Sequence, residues 1–319
     1  MITARGGGLQ DLLGEYYAAL AAGDPGRLPL SADVTLSENG QRIAIGTGLW
    51  ATVAGVAGSR VVTVSEEAYG PGGTAGSVAG WGMITEGGAD GADALLGVRL
   101  KTTGKAISEI ETLVVRRAPF GRTTFPERLL EPSAAMAQIL GPADRGTRED
   151  LIQAANRYLD GVARDDAGLI PAADDCVRIE NGLQTVLNPD AEGFPETFVS
   201  SGGLGGFGLG VRAQIRTLAF RYIEDIRDRR FVAADTERGL VLVCCFFDHP
   251  GKVRGAGFDS PIAAPNSMLI WELFKVAGGL IRRIEAIGAA FPYGMRAGWR
   301  RPDPPPEAGP ASFVIGSAA

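Results

Sequence analysis

Residues Asp174–Gln184 read DDCVRIENGLQ, and a related segment, DVTLSENGQ, occupies Asp33–Gln41. Both segments contain Glu-Asn-Gly followed closely by a Gln, at Glu38–Gly40 and at Glu180–Gly182. An Asn-Gly pair between two extended runs is a strong signal for a tight turn between strands. Because three shared residues are weak support for a duplication, the flanking sequence has to repeat as well.

The flanks do repeat. Gln10–Ala22 and Arg148–Ala163 each place apolar side chains at helical spacing ahead of the shared segment. Downstream, Lys101–Glu111 (KTTGKAISEIE) aligns without a gap on Lys275–Glu285 (KVAGGLIRRIE), which predicts a strand, a glycine turn and a closing strand in each half. Helices followed by a run of antiparallel strands, present twice, predict an α+β protein built from two repeats.

The repeat predicts a domain division. We predict an N-terminal domain over 1–125, a linker with prolines over 126–146, a C-terminal domain over 147–300 and a proline-rich tail over 301–319. The second domain is longer because it holds two loop-like insertions, Pro189–Val211 and Pro250–Asn266. Added loops often carry function, so the second domain is the expected place of a binding site.

Composition excludes several classes of partner. The 319 residues can bury two cores, and no apolar run is long enough to cross a bilayer. Without an apolar leader at the N-terminus, we expect a soluble, cytoplasmic protein that does not bind membranes. A net charge of −6 argues against a nucleic-acid partner. The cysteines, which we expect to be buried thiols, do not have zinc-ligand spacing, so no metal is expected. They are Cys176, Cys244 and Cys245.

Seven segments carry a resemblance to a known family. They are Leu28–Pro29, Glu38–Gln41, Ala173–Gln184, Ile226–Phe231, Asp235–Leu240, Phe246–Gly251 and Pro292–Trp299. With them, and with strands that close on Ile-Glu, the chain resembles the nuclear transport factor 2-like superfamily and a two-domain subgroup within it. That superfamily includes SnoaL-like polyketide cyclases, ketosteroid isomerase and limonene epoxide hydrolase. The resemblance spans roughly residues 10–300, nearly the whole chain.

The resemblance implies two cone-shaped domains in tandem, each a curved antiparallel sheet wrapped around N-terminal helices with a pocket at one end. Superfamily dimers often pack sheet against sheet, so the two copies would form a pseudo-dimer within one chain. Whether the chain also forms a homo-oligomer is left open. The superfamily hosts many reactions, so the resemblance does not select one. The paired carboxyl groups of ketosteroid isomerase do not map onto this sequence.

The first strand of the second copy presents a polar face. In a strand, Cys176, Arg178 and Glu180 share one side, whereas Val177 and Ile179 share the other. We expect Val177 and Ile179 to pack against the helix, which would turn the polar side toward a pocket or toward another sheet.

Glu180 and Arg178 are the first catalytic candidates. A buried Glu beside an Arg is a reasonable general base, and the first copy has Leu36 in place of Arg178. Asn181, next to Glu180, would then lie near the ligand. The alternative is structural, with Asn181 making the turn while Glu180 caps a helix or pairs with Arg178. Both interpretations stay open.

His249, the one histidine of the chain, is the second catalytic candidate. It follows an apolar strand, titrates near neutral pH and is preceded by Asp248, which would orient its ring. The first copy has no counterpart. The alternative is that Asp-His-Pro-Gly simply makes a turn.

Further contacts to a ligand are predicted from position. The candidates are Tyr158, Gln214, Tyr222, Phe207 and Tyr293. The glycine-rich Gly202–Gly210 is either a lid, with Phe194, Phe198 and Phe207 as its apolar contacts, or an unstructured loop. Its formal G-x-G-x-x-G lacks the βαβ context of a dinucleotide site, and we expect no cofactor. Tyr293 would donate a hydrogen bond from its phenol to the ligand, or it would anchor the two halves to each other.

Two functions follow. The first is a cofactor-independent lyase or isomerase that uses acid–base chemistry on a small apolar molecule in the C-terminal domain. The resemblance adds aromatic, lignin-derived dimers as one substrate class. The second is a non-catalytic protein that binds a small molecule or serves as a scaffold.

Overall fold

The computed structural model describes residues 8–69, 73–87, 91–116, 127–190, 192, 206–218, 220–252 and 264–299. Its α-helices are α1 (Leu9–Ala21), α2 (Leu49–Thr52), α3 (Glu127–Leu130), α4 (Ala134–Ala137), α5 (Arg148–Arg164) and α6 (Val211–Arg216). The first half holds strands β1 (Leu30–Glu38), β2 (Gln41–Ile43), β3 (Val53–Tyr69), β4 (Gly73–Glu86), β5 (Ala92–Thr103) and β6 (Ala106–Val115). The second half holds β7 (Ala172–Glu180), β8 (Leu183–Gln184), β9 (Asp225–Asp235), β10 (Leu240–His249), β11 (Asn266–Ala277) and β12 (Leu280–Pro292). No helix among these residues is long and apolar enough to cross a membrane.

The two halves have the same sheet topology. The strand order is β2-β1-β6-β5-β4-β3 in the first sheet and β8-β7-β12-β11-β10-β9 in the second. The duplication and the α+β class predicted from the sequence are confirmed, and each half has the helix-then-sheet fold expected from the resemblance to nuclear transport factor 2-like domains. The sheets are not wholly antiparallel, because β1 and β7 run parallel to β6 and β12. Those pairs join distant segments, so no tight turn dictates their relative direction.

The Asn-Gly pairs make the predicted turns and also clasp the last strand. Asn39 and Asn181 both adopt positive φ, of 52° and 49°. The side-chain oxygen of Asn181 accepts the amide of Gly288 on β12 at 2.9 Å, and its Nδ2 donates to the Gly288 carbonyl at 3.0 Å. Asn39 accepts the amide of Val114, at the equivalent place on β6, at 2.8 Å. Each Asn therefore ties the turn to the strand beside it.

We expect Asn181→Ala to lower the free energy of unfolding of the second domain by roughly 3 kcal/mol, because two buried hydrogen bonds and the tolerance for positive φ are lost together. Asn181→Gly, which keeps that tolerance, should cost about 1 kcal/mol less. Asn39→Ala, which removes one such bond, should cost about half as much as Asn181→Ala. Chemical denaturation followed by circular dichroism measures all three. Equal stability of the wild type and Asn181→Ala would contradict the clasp.

The helix of the first half lies directly on its sheet. A Cβ at Gly80 would stand 2.3 Å from Leu13 Cδ2, and one at Gly82 would stand 2.8 Å from a ring carbon of Tyr17. The register of β4 with β5 and of β10 with β11 places Val243 and Cys245 at these positions in the second half. Their larger side chains prevent α5 from approaching its sheet as closely, so the two interiors differ in depth.

The two sheets pack face to face about a local twofold axis. Trp271 lies over Gly97, its own counterpart, where a Cβ would stand 2.9 Å from the indole. Trp81 completes the contact, with its ring centroid 6.3 Å from that of Trp271. Residues that pack on their own counterparts mark an isologous interface, so the halves associate as the two subunits of a dimer would.

Two equivalent buried ion pairs cross this interface. Arg60 on β3 pairs with Glu285 on β12, and Arg230 on β9 pairs with Glu111 on β6. Strand register places Arg60 and Arg230 at equivalent positions, and the alignment of the closing strands does the same for Glu111 and Glu285. Reciprocal contacts of this kind are what twofold symmetry produces.

One expectation about local structure is corrected. Val177 and Ile179 belong to the core between the sheets, whereas Cys176 lies in the core around α5. The polar face of β7 therefore points toward the helix, where Arg178 donates to Tyr158 of α5. The short helix α2 ends at Thr52, directly before β3.

Candidate functional site

Arg178 organises a buried polar cluster inside the second domain. Its guanidinium donates to Thr185 Oγ1 at 2.8 Å, to Tyr158 OH at 3.0 Å and to Gln214 Oε1 at 3.0 Å. These partners come from the segment after β8, from α5 and from α6. Burial disfavours the charge, but Glu180 and Tyr158 outweigh it and raise the Arg178 pKa above its ordinary value. The cluster therefore keeps a permanent positive charge away from water.

Glu180 lies beside Arg178 at the mouth of this cluster. One carboxylate oxygen is 3.3 Å from Arg178 Nε, and the side chain is 34% exposed. Its counterpart Glu38 instead accepts the backbone amide of Leu49, at the start of α2, at 2.9 Å. The same residue type thus caps a helix in the first half and pairs with Arg178 in the second, where it stays open to solvent and to a ligand.

Glu272 on β11 is a carboxyl group that the sequence interpretation missed. The side chain is 2% exposed, and Oε2 has no hydrogen-bond partner among the described residues. Burial, together with the negative charge of Glu180, raises the pKa of Glu272 to about 8 although Arg178 lowers it. At neutral pH Glu272 is therefore largely protonated and can donate a proton.

His249 lies against Tyr222 at the end of β10. It is 2% exposed, and the two rings stack with centroids 5.4 Å apart. Its Nδ1 is 3.0 Å from Asn266 Oδ1, which assigns the proton to Nδ1 because a carbonyl oxygen only accepts. Burial lowers the His249 pKa, so the ring is neutral and Nε2 carries a lone pair.

Asp248 does not orient His249, contrary to the expectation from the sequence. Its carboxylate accepts from Arg227 at 2.6 and 2.9 Å and from Ser267 Oγ at 2.5 Å. Consecutive residues of a strand point to opposite faces, so Asp248 and His249 diverge. The residue that orients the imidazole is Asn266.

The remaining sequence candidates lie in different places. Burial, together with the negative charge of Glu180, raises the pKa of Tyr222 although Arg178 lowers it. Tyr222 packs against Phe220, whose ring lies under the Arg178 guanidinium, which places it beside Tyr158 and Gln214. Phe207 is buried next to Gly206, whose carbonyl accepts from Gln214 at 3.2 Å. The side chain of Asn181 is occupied by its two hydrogen bonds with Gly288 on β12, so it does not contact the cluster.

Tyr293 lies apart from the cluster. It is 45% exposed, and its hydroxyl bonds to the exposed Glu224. It neither reaches the cluster nor anchors the two halves. Phe194, Phe198 and residues 202–205 of the proposed lid fall outside the described residues, as do most of the second insertion and the whole tail.

The first half lacks the arginine and the buried acid of this cluster. Strand register places Leu36 at the position of Arg178. Both residues precede the Asn-Gly pair of their half by the same number of residues, and they pair with the equivalent residues Ile110 and Ile284. The aligned closing strands place Val98 at the position of Glu272. The isolated acid in the apolar run Trp271-Glu272-Leu273-Phe274 was the signal that could have identified Glu272 from sequence.

The cysteines are buried thiols, as expected. Cys244 and Cys245 belong to the two different cores, on opposite faces of β10. Burial raises the pKa of Cys176 to about 12, so this thiol stays protonated at neutral pH. Within the described ranges, no group of three His, Cys, Asp or Glu side chains is arranged to hold a metal ion.

Comparisons with other proteins concern the fold. Residues 144–288 match a family described as Domain of unknown function (DUF8021). No protein in the curated set matches the sequence. Among solved structures, a candidate SnoaL-like polyketide cyclase from Jannaschia is 10% identical; the match covers 48% of this chain and 91% of that one, with a TM-score of 0.28.

Two further structures are similar. The BvnE pinacolase from Penicillium brevicompactum is 14% identical, over 45% of this chain and 88% of its own, with a TM-score of 0.27. A protein with a ketosteroid isomerase-like fold from Catenulispora acidiphila, bound to trimethylamine, is 15% identical over 32% and 83%, with a TM-score of 0.23. None of these likenesses assigns an activity to this chain. The family match falls on the second of the two halves of like topology, which is the half that carries the Arg178 cluster.

Proposed function

We propose that the second domain is a cofactor-independent enzyme of lyase or isomerase type that moves protons on a small, uncharged and largely apolar molecule. The observation that carries this proposal is Glu272, a protonated carboxylic acid close to the exposed, Arg178-paired carboxylate of Glu180. A buried carboxylic acid and a second carboxyl group paired with an arginine can supply an acid and a base to the same substrate.

In the proposed reaction Glu180 removes a proton from a carbon next to a carbonyl group, and Glu272 donates its proton to the carbonyl oxygen. The product of this step is an enol. Return of a proton to another carbon gives an isomer. Expulsion of an oxygen substituent from the β-carbon gives a lyase product, with the proton held by Glu180 passing to the leaving oxygen and the enol proton returning to Glu272. His249, whose Nε2 has a lone pair, is a second proton acceptor.

Arg178 is a positioning residue in this scheme. Each of its three nitrogens donates to a protein group, and the side chain is 4% exposed, so a substrate carboxylate would have little access to the remaining N–H groups. Its charge instead stabilises ionised Glu180. A substrate without a formal charge suits this arrangement. Tyr158 and Phe274, whose rings pack 5.2 Å apart in the core, make the surroundings of the cluster apolar.

Hydrogen–deuterium exchange tests the proposal at the proton-abstraction step, which is common to the isomerase and lyase outcomes. Aromatic and aliphatic ketones with β-hydroxy or β-aryloxy groups are incubated with the protein in D₂O and followed by proton NMR. We expect exchange next to the carbonyl of at least one compound, and a loss of about 100-fold or more in Glu180→Gln and Glu272→Gln. Glu38→Gln, the matched change in the first domain, should keep the wild-type rate. Full exchange in either site variant would contradict the assignment.

A non-catalytic binding protein is the second candidate. This alternative is favoured by the three hydrogen bonds that Arg178 donates to protein groups, because such a network can also have a purely structural role. Under this alternative a compound of the panel raises the melting temperature of the wild type and of both site variants alike, and no compound is turned over.

A further inference from the structure

The segment that follows β12, residues 293–299, returns to the first half, and we call it the strap. Arg42 Nε, in the first half, donates to the carbonyl of Gly298 at 2.7 Å. A Cβ at Gly298 would stand 2.7 Å from the carbonyl oxygen of Gly40, and a Cβ at Gly40 would stand 3.2 Å from Met295 Cε. The strap therefore lies directly on the Asn-Gly turn of the first half, at a distance that the missing side chains of the two glycines permit.

The end of the strap contacts both halves. The ring of Trp299 packs against three guanidinium groups, with 5.9, 5.4 and 5.8 Å from its centre to the guanidinium carbons of Arg42, Arg99 and Arg230. Cations are attracted to the face of an indole ring. Ala297 is buried in the core between the two sheets. Arg42 and Arg99 belong to the first half and Arg230 to the second, so the strap joins them.

The start of the strap is tied to β10 and β11 by three side chains. Ser267 Oγ accepts the amide of Gly294 at 2.8 Å and donates to Asp248 Oδ1 at 2.5 Å. Arg227 Nη2 donates to the carbonyl of Met295 at 2.8 Å, and Arg227 Nε donates to Asp248 Oδ2 at 2.6 Å. We call Asp248, Ser267 and Arg227 the latch, because together they hold the strap to the strand ends.

The latch adjoins the pair of residues that orients the imidazole. Register pairs Asp248 with Ser267 and, one step further, His249 with Asn266, which is the last pair of β10 with β11. On its other side Asn266 pairs with Pro292 of β12. Proline has no backbone N–H to donate, so this end of the sheet lacks a donor that other residues would supply. The side chains of the latch therefore support the end of the sheet that carries His249.

The first half contains the same hydroxyl–carboxylate bond without a strap. Strand register and the aligned closing strands place Thr85 and Asp93 at the positions of Asp248 and Ser267. Thr85 Oγ1 donates to Asp93 Oδ1 at 2.8 Å. Among the described residues, a strap contacts this bond only in the second half. The chain therefore offers a matched pair of sites that differ in the strap.

We propose that the first half positions His249 through the strap, which docks on the Asn-Gly turn of the first half and, through the latch, keeps the terminal His249–Asn266 pair closed. Asp248, Ser267 and Arg227 are positioning residues in this scheme. When the strap leaves the first half, the end of β10 and β11 opens more often and the imidazole loses its fixed hydrogen bond. The inference adds a means of regulation to the proposed function, on which it rests for the role of His249 in proton transfer.

Proton–nitrogen NMR of the imidazole tests the proposal on the full chain, because His249 is the one histidine and its ring signals are unambiguous. The Arg42→Met, Trp299→Ala double variant removes anchors of the strap on the first half. We expect its His249 Nδ1 proton to exchange with D₂O about tenfold faster than in the wild type, because the hydrogen bond to Asn266 opens more often. Ser267→Ala, which breaks the latch itself, should accelerate the exchange at least as much.

Two matched controls change the first half away from the strap. Arg27→Met removes the same charge as Arg42→Met from an exposed ion pair, and Thr85→Ala removes the hydroxyl equivalent to the latch bond. Both should keep the exchange within about twofold of the wild type. Amides in the middle of β11 should exchange at the wild-type rate in every variant, which separates local opening from a general loss of stability.

Wild-type exchange of the Nδ1 proton in the Arg42→Met, Trp299→Ala variant would overturn the proposal. Acceleration of the amides in the middle of β11 by the same factor would overturn it as well, since the effect would then be global. The measurement needs no substrate. It therefore decides the coupling between the halves separately from the exchange assay that decides the proposed function.

Discussion

Glu272→Gln is expected to raise the free energy of unfolding by roughly 3–5 kcal/mol at alkaline pH and to leave it nearly unchanged below pH 4. The folded protein holds the Glu272 pKa at about 8, above the ordinary value of 4.5. The folded state therefore binds this proton more tightly than the unfolded state does. Stability from this group is fully present below the unfolded pKa and falls as pH rises toward about 8. The Gln side chain is a neutral amide of the same shape, so the variant does not lose this stability as pH rises.

Urea unfolding at a series of pH values measures the effect. Glu237→Gln is the control, because this exposed side chain lies in the turn between β9 and β10 of the same domain. The control should follow the wild type at every pH. If Glu272→Gln were offset from the wild type by a constant amount from acid to alkaline pH, the raised pKa would be refuted. Greater stability combined with lost turnover would indicate a carboxyl group retained for chemistry.

Arg60→Met is expected to lower the free energy of unfolding by about 3 kcal/mol, because it leaves the fully buried Glu285 without its partner across the sheets. The value lies at the lower end of the range for broken buried pairs because Arg283 still contacts Glu285 at 3.1 Å. The Arg60→Met, Glu285→Leu double variant should recover most of this loss. Two nitrogens of Arg60 are buried without hydrogen-bond partners among the described residues, so removing the whole pair also removes their desolvation cost.

The comparison variant is Arg27→Met, which breaks a pair with Asp24 whose side chains are 59% and 54% exposed. It should cost less than about 1 kcal/mol. Thermal and chemical unfolding of the four proteins forms the test. A double variant as unstable as Arg60→Met alone would show that the pair itself, rather than its burial, stabilises the interface.

Local signals in the sequence predicted the backbone well. Asn39 and Asn181 make the turns that Asn-Gly predicts, and Thr147 begins α5 with a capping box to Asp150. Strand alternation correctly separated Cys244 from Cys245. The same alternation, continued to the end of the strand, separates Asp248 from His249, so the expected pairing of these two residues was wrong for a local reason.

The polar cluster could be predicted only in part. Arg178, Glu180 and His249 stand out as polar residues within or next to apolar strands, and Glu272 carries the same signal. Their protonation states could not be predicted, because the Glu272 pKa depends on burial and on the distance to charges on another strand. That Asn266 is the partner of His249 could not be predicted either. The residue that lies opposite His249 depends on the register between β10 and β11.

The sequence by itself determined that the fold is duplicated, where its turns lie and which copy carries charged residues inside, because these follow from local conformational preference and from periodicity. Only the tertiary structure decided what Glu-Asn-Gly does. Its Asn is occupied by the neighbouring strand in both copies, while its Glu caps a helix in one and faces Arg178 in the other. Identical residues take different roles because hydrogen bonding, desolvation and charge depend on neighbours far away along the chain.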